Sequence, residues 1–149
     1  MRKIILILIV VITFIMFLVA NFSIVKKNTP SVSIKNKTFY VDIAKTDQEK
    51  GEGLSIYDKL PSANGMLFIF EKPDYYSFWM KNMKFAIDII YIKDNKITDI
   101  YKDVPPPKSK NEFLPIIKPK EQSDTVLEIN AGLCDKYNFK KGVSVIINY

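Results

Sequence analysis

Hydrophobic and polar positions divide the chain into two unlike parts. From Ile4 to Val25 the sequence is apolar, broken only by Thr13, Asn21 and Ser23. No polar stripe recurs there with a helical period, so the run does not read as one face of a surface helix. Wound as a helix, these residues rise about 33 Å, close to the roughly 30 Å hydrocarbon core of a bilayer. The pattern predicts a transmembrane helix through residues 4–25, within an N-terminal anchor at 1–27. The stretch exceeds a signal-peptide core, and its one candidate cleavage site, Leu18-Val19-Ala20, has a bulky residue three before the cut. A retained anchor is therefore expected over a cleaved signal. Arg2, Lys3 and the amino terminus outweigh Lys26 and Lys27 by about one charge. That bias favours a single-pass protein of the cell membrane with its C-terminal domain extracytoplasmic.

After a polar linker at 28–31 the period changes to two. Phe39, Val41 and Ile43 alternate with Thr38, Tyr40 and Asp42 across Thr38–Ala44, the signature of a half-buried strand. Thr46-Asp47-Gln48-Glu49 matches a helix capping box, and Gly51 and Gly53 limit that helix to a turn or two. Gly65–Phe70, Tyr75–Asn82 and Phe85–Ile92 are successive strand candidates. Asp94-Asn95 suits a tight hairpin into Lys96–Lys102. A proline-marked loop from Val104 to Gln122 precedes a strand at Thr125–Ile129, a short helix at Gly132–Tyr137 and a last strand at Val143–Ile147. Residues 32–149 thus read as one mostly β domain, a compact barrel or sandwich of about seven short strands with two short helices. The lack of long helices between strands argues against a doubly wound fold.

Composition narrows the chemistry. Among 149 residues there is no histidine, which removes the Ser-His-Asp triad, the Cys-His pair and the HExxH zinc site. The single cysteine, Cys134, closes no intramolecular disulfide and builds no thiolate metal site; beside Leu133 it reads as a small hydrophobe, with a reactive thiol as the alternative. Met66, Met80 and Met83 read as core at strand spacing rather than as a soft-metal site. No cofactor or metal is indicated. Without residues 1–27 the domain carries 18 basic and 16 acidic side chains, too balanced for a nucleic-acid binder.

Five strings then carry a resemblance. Gly53-Leu54, Gly65-Met66-Leu67-Phe68, Phe78-Trp79-Met80-Lys81-Asn82, Ile87-Asp88-Ile89-Ile90, and Val126-Leu127-Glu128-Ile129 with Ala131-Gly132 stand in the order found in the DUF192 family, which the chain resembles over nearly all of residues 32–147. Ser55 and Met83 depart from the family's common methionine and threonine at those places. The resemblance implies an exported or membrane-anchored bacterial or archaeal domain and no established activity.

Two arrangements of polar groups are open at the candidate site. In one, Lys81, Asn82 and Asp88 form the polar floor of a pocket walled by Trp79, suited to a small polar or carbohydrate-like ligand. In the other, Asp88 satisfies backbone N–H groups or pairs with Lys81, and Trp79 is core. Glu128, also set among apolar residues, admits an acid/base pair with Asp88 or a structural role. The leading expectation is a membrane-anchored extracytoplasmic domain that binds such a ligand or a cell-envelope partner. The alternatives are a histidine-free hydrolase or lyase using Asp88 and Glu128, with Lys81 stabilising negative charge, and a purely structural interaction module.

Overall fold

The computed structural model describes residues 2–22, 29–109 and 112–149, without side-chain detail at 5–8 and 17–22. Helix α1 spans Arg2–Phe22. Ile9, Val10, Val11 and Ile12 are consecutive and all exposed, so a full turn of α1 buries no apolar face. Among the described residues no helix is long and apolar enough to cross a membrane. The expected span at 4–25 ends in residues 23–25, outside the described residues, and rests on the sequence.

Seven strands form one sheet: β1 (Ser31–Ile34), β2 (Lys37–Ala44), β3 (Asn64–Asp74), β4 (Ile87–Lys93), β5 (Lys96–Val104), β6 (Ser123–Asn130) and β7 (Val145–Asn148), ordered β5-β4-β6-β3-β2-β1-β7. Every pairing is antiparallel except β2 with β3. That parallel pair needs a crossover, supplied by α2 (Asp47–Glu52) and a 3-10 turn at Gly53–Ile56. The capping box forms as the sequence predicts: the Glu49 amide donates to Thr46 Oγ1 at 3.2 Å, and the Thr46 amide donates to Glu49 Oε2 at 2.8 Å. Asp94 and Asn95 both take positive φ, 51° and 56°, in the β4–β5 hairpin. The sheet curls until its two edges touch. The Gly142 amide donates to the Ile97 carbonyl at 2.8 Å and the Val145 amide to the Asn95 carbonyl at 2.9 Å. The result is a half-barrel.

Two elements differ from expectation. Ser31–Ile34, whose first residue falls in the expected linker, is a strand: Val32 and Ile34 point inward, fully buried, and the alternation is short but complete. Tyr75–Asn82 is not a strand. Phe78 makes a single bridge to Ile117, and Met80 to Met83 turn back on themselves with Asn82 at φ 60°. The aromatic and methionine side chains there cover the outer face of the sheet, so the segment lies over it instead of within it.

The sheet therefore has an apolar cluster on each face. The inner one joins Ile34, Phe39, Leu67, Ile90, Leu127 and Phe139 and is closed by α3 (Leu133–Lys136). The outer one joins Leu54, Phe68, Met80, Met83, Ile89 and Tyr91 beneath the 75–86 segment and the proline loop. Tyr101 Oη donates to the Lys118 carbonyl at 2.5 Å and the Lys120 amide to Asp99 Oδ2 at 3.0 Å, tying that loop to β5.

Candidate functional site

Residues of β6 alternate between these two clusters, and Glu128 falls on the outer face, opposite Ile89 of β4 and Met66 of β3. Its side chain is only 5% exposed. Among the described residues its carboxyl has no hydrogen-bond or ion-pair partner, and burial alone pushes its pKa up to about 8. Burial without a compensating partner favours the protonated form of such a carboxyl.

Above Glu128 lies a cavity of about 140 Å³. Phe68 of β3 and Phe78 of the covering segment wall it edge to face, ring centres 5.0 Å apart. Phe70 and Tyr76 stack at 3.5 Å on one side. Leu54 and Met83 add further apolar surface. At the mouth Trp79 is 54% exposed, with Lys81 Nζ 4.9 Å from its ring centre. Lys50 Nζ sits 4.7 Å from the Phe70 ring, and Glu52 completes the rim.

Two glycines make this arrangement possible. A Cβ on Gly65 would meet the Glu128 carbonyl oxygen at 2.6 Å, so only glycine lets β3 approach β6 there. Gly53 has φ 51° and ψ −147°, and a Cβ on it would stand 3.4 Å from Phe68 Cζ and 4.0 Å from Glu128 Oε2, at the cavity wall.

Of the side chains singled out in the sequence, Trp79, Lys81 and Glu128 come together around this cavity. Asn82 does not: it occupies the left-handed position of the Met80–Met83 turn and borders a separate recess with Lys84, Glu112 and Leu114. Asp88 does not either. Its neighbour across β6 is Ile129, which belongs to the inner cluster, and the carboxylate is fully buried there. Oδ1 accepts from the amides of Asp103 at 2.8 Å and Gly132 at 3.2 Å, and Oδ2 accepts from the Cys134 amide at 2.8 Å. Asp88 thus bolts the end of β5 to the start of α3, and it is satisfied by backbone N–H groups, not by Lys81.

Asp88 and Glu128 consequently face opposite sides of one sheet. The acid/base pair expected of a histidine-free hydrolase is corrected on that ground, since no substrate atom reaches both. Cys134 is fully buried, and burial together with the Asp88 carboxylate pushes its thiol well above the usual range, so it carries no nucleophilic thiolate. Trp79, for which a core position was one expectation, stands at the rim. Met66, Met80 and Met83 are packed in the outer cluster. Sequence reasoning missed the aromatic wall of Phe68, Phe70, Tyr76 and Phe78, because strand alternation assigned part of it to a strand that does not form.

The family model DUF192, described as an uncharacterized ACR, matches residues 30–147. A crystal structure of a protein of unknown function from Novosphingobium aromaticivorans is similar at 28% identity and a TM-score of 0.68, covering 78% of this chain and 83% of that one. A putative transcription regulator from Sinorhizobium meliloti shares the fold at 24% identity and a TM-score of 0.71, covering 79% of this chain and 92% of that one. No curated protein matches the chain. The chain belongs to the DUF192 family.

Proposed function

For this DUF192 member we propose a membrane-tethered, extracytoplasmic binding domain whose outer-face cavity takes a small polar ligand, free or as part of a cell-envelope component. The observation that carries the reading is Glu128: a buried carboxyl without a partner among the described residues, at the floor of an aromatic-walled cavity open to solvent past Trp79. A group of that kind costs stability unless something that binds there pairs with it. Three of the five strings that carry the family resemblance supply cavity residues outright (Gly53-Leu54, Phe78 to Asn82, Val126 to Ile129), and Phe68 comes from a fourth. The tether is supported by the 4–25 apolar run and by the exposed turn Ile9–Ile12, which needs an apolar surrounding.

The test is a thermal-shift screen of the full chain in detergent against sugars, amino acids, nucleotides and divalent cations. A ligand at 100 times its dissociation constant adds about 2.7 kcal/mol and several degrees of melting temperature. The expected shift disappears in Glu128→Gln or Trp79→Ala and survives in Asp88→Asn. A shift that persists in the first two variants, or an empty screen, overturns the cavity as the binding site. Retention of the chain in membranes after alkaline extraction, lost on deletion of residues 2–27, tests the tether.

A further inference from the structure

The cavity has charges of opposite sign available at its two ends, and that arrangement defines a ligand class. Resting on the binding reading above, we infer that the site is built for a small zwitterion, an amino acid or amino-acid-like compound, whose ammonium group enters against Glu128 and whose carboxylate stays at the mouth between Lys50 and Lys81. The floor favours a cation for two independent reasons. The Glu128 carboxyl lacks any partner among the described residues, and a protonated amine supplies both the charge and the N–H donors it lacks. The walls are aromatic faces and edges, Phe68 with Phe78 and Phe70 with Tyr76, which attract a desolvated cation through the ring quadrupole.

The mouth favours an anion. Lys50, half-buried, and Lys81, exposed, rest over Phe70 and Trp79 at 4.7 and 4.9 Å on the rim, against one acidic side chain, Glu52. Size sets the rest. A cavity near 140 Å³ resembles one that holds benzene, which limits the buried part of a ligand to roughly six to eight non-hydrogen atoms. A sugar ring with its hydroxyls is larger, and a lone carboxylate brings neither the charge nor the N–H donors that pair with an ionised Glu128.

Binding such a ligand ionises Glu128, so one proton leaves the floor as the ammonium arrives. Other titratable or charged groups around the cavity are Lys50 and Glu52 from α2, Tyr76 and Lys81 from the covering segment, and Tyr91 from β4, whose hydroxyl burial pushes above its ordinary value. None of these ordinarily titrates between pH 6 and 8. Affinity for an amine then follows Glu128 alone, tightening roughly 50-fold from pH 6 to pH 8 and levelling above.

The experiment titrates the full chain in detergent with 4-aminobutyrate, butylamine and butyrate, reading the fluorescence of Trp79, the sole tryptophan. The expected order at pH 8 is 4-aminobutyrate tightest, butylamine weaker and butyrate weakest, with the amine affinities rising from pH 6 to pH 8. Glu128→Gln lowers amine affinity at pH 8 by at least about tenfold and abolishes the pH dependence. Lys50→Ala with Lys81→Ala brings 4-aminobutyrate down to the level of butylamine. Butyrate binding as well as the amines, affinity falling as pH rises, or no binding by any of the three overturns the inference. Binding of a neutral sugar that is lost in Glu128→Gln would sink the zwitterion alone and leave the cavity reading standing.

Discussion

Replacing Glu128 with glutamine preserves shape and a polar head but removes the ability to ionise. In the folded chain the Glu128 carboxyl titrates near 8, against 4.5 for an unperturbed glutamate. The folded state therefore holds a proton that the unfolded chain releases between these two values. Stability from this group is fully present below about pH 4.5 and is lost as pH rises through the folded-state value. At about 1.4 kcal/mol per pH unit the loss is on the order of 5 kcal/mol by pH 9, a large share of a small domain's stability. Glutamine carries no such term. Urea denaturation of the wild type and Glu128→Gln at pH 5, 7 and 9 measures the difference directly. The expected result is near-equal stability at pH 5 and an advantage for the variant that widens with pH. Parallel pH profiles, or a wild type that gains on the variant as pH rises, would refute the reasoning, because either outcome means that Glu128 is ionised and solvated or paired.

Asp88→Asn leaves the inner-face junction with one accepting oxygen for three backbone amides, and the expected cost is about 2–4 kcal/mol by denaturant titration, with ligand affinity unchanged in the protein that remains folded. Gly65→Ala places a methyl group 2.6 Å from the Glu128 carbonyl oxygen, and a loss of about 1–3 kcal/mol is expected, with amide exchange accelerated along the β3–β6 pairing. Trp79→Ala removes an exposed side chain, so stability stays within about 0.5 kcal/mol while binding at the cavity mouth is lost. A fall in stability as large as that of Asp88→Asn would place Trp79 in the core instead.

The elements that local chemistry determines were legible in the sequence. The Thr46–Glu49 capping box, the Asp94-Asn95 hairpin and the Thr38–Ala44 alternation each depend on neighbours within a few residues. The 75–86 segment was not, since a period-two run of aromatic residues fits a strand equally well as a cover lying across one. Only tertiary placement, with Phe78 bridged to Ile117, separates the two. The same limit applied to the carboxylates. Asp88 and Glu128 each sit among apolar neighbours in their strings, and sequence gives no register between β4 and β6. Once Asp88 is paired with Ile129 and Ile89 with Glu128, the two carboxyl groups fall on opposite faces, one satisfied by three amides and the other, among the described residues, by none.

Nuclear magnetic resonance tests the binding site most directly, because the single indole N–H of Trp79 marks the cavity mouth and the Gly132 and Cys134 amides mark the opposite face. On titration with a zwitterionic ligand, the account predicts that the indole signal and the Gly53, Phe68 and Glu128 amides shift together with one saturation curve. The amides bound to Asp88 stay in place, and Glu128→Gln abolishes the response. Shifts centred on the Asp88 junction, or an unchanged response in Glu128→Gln, would contradict it.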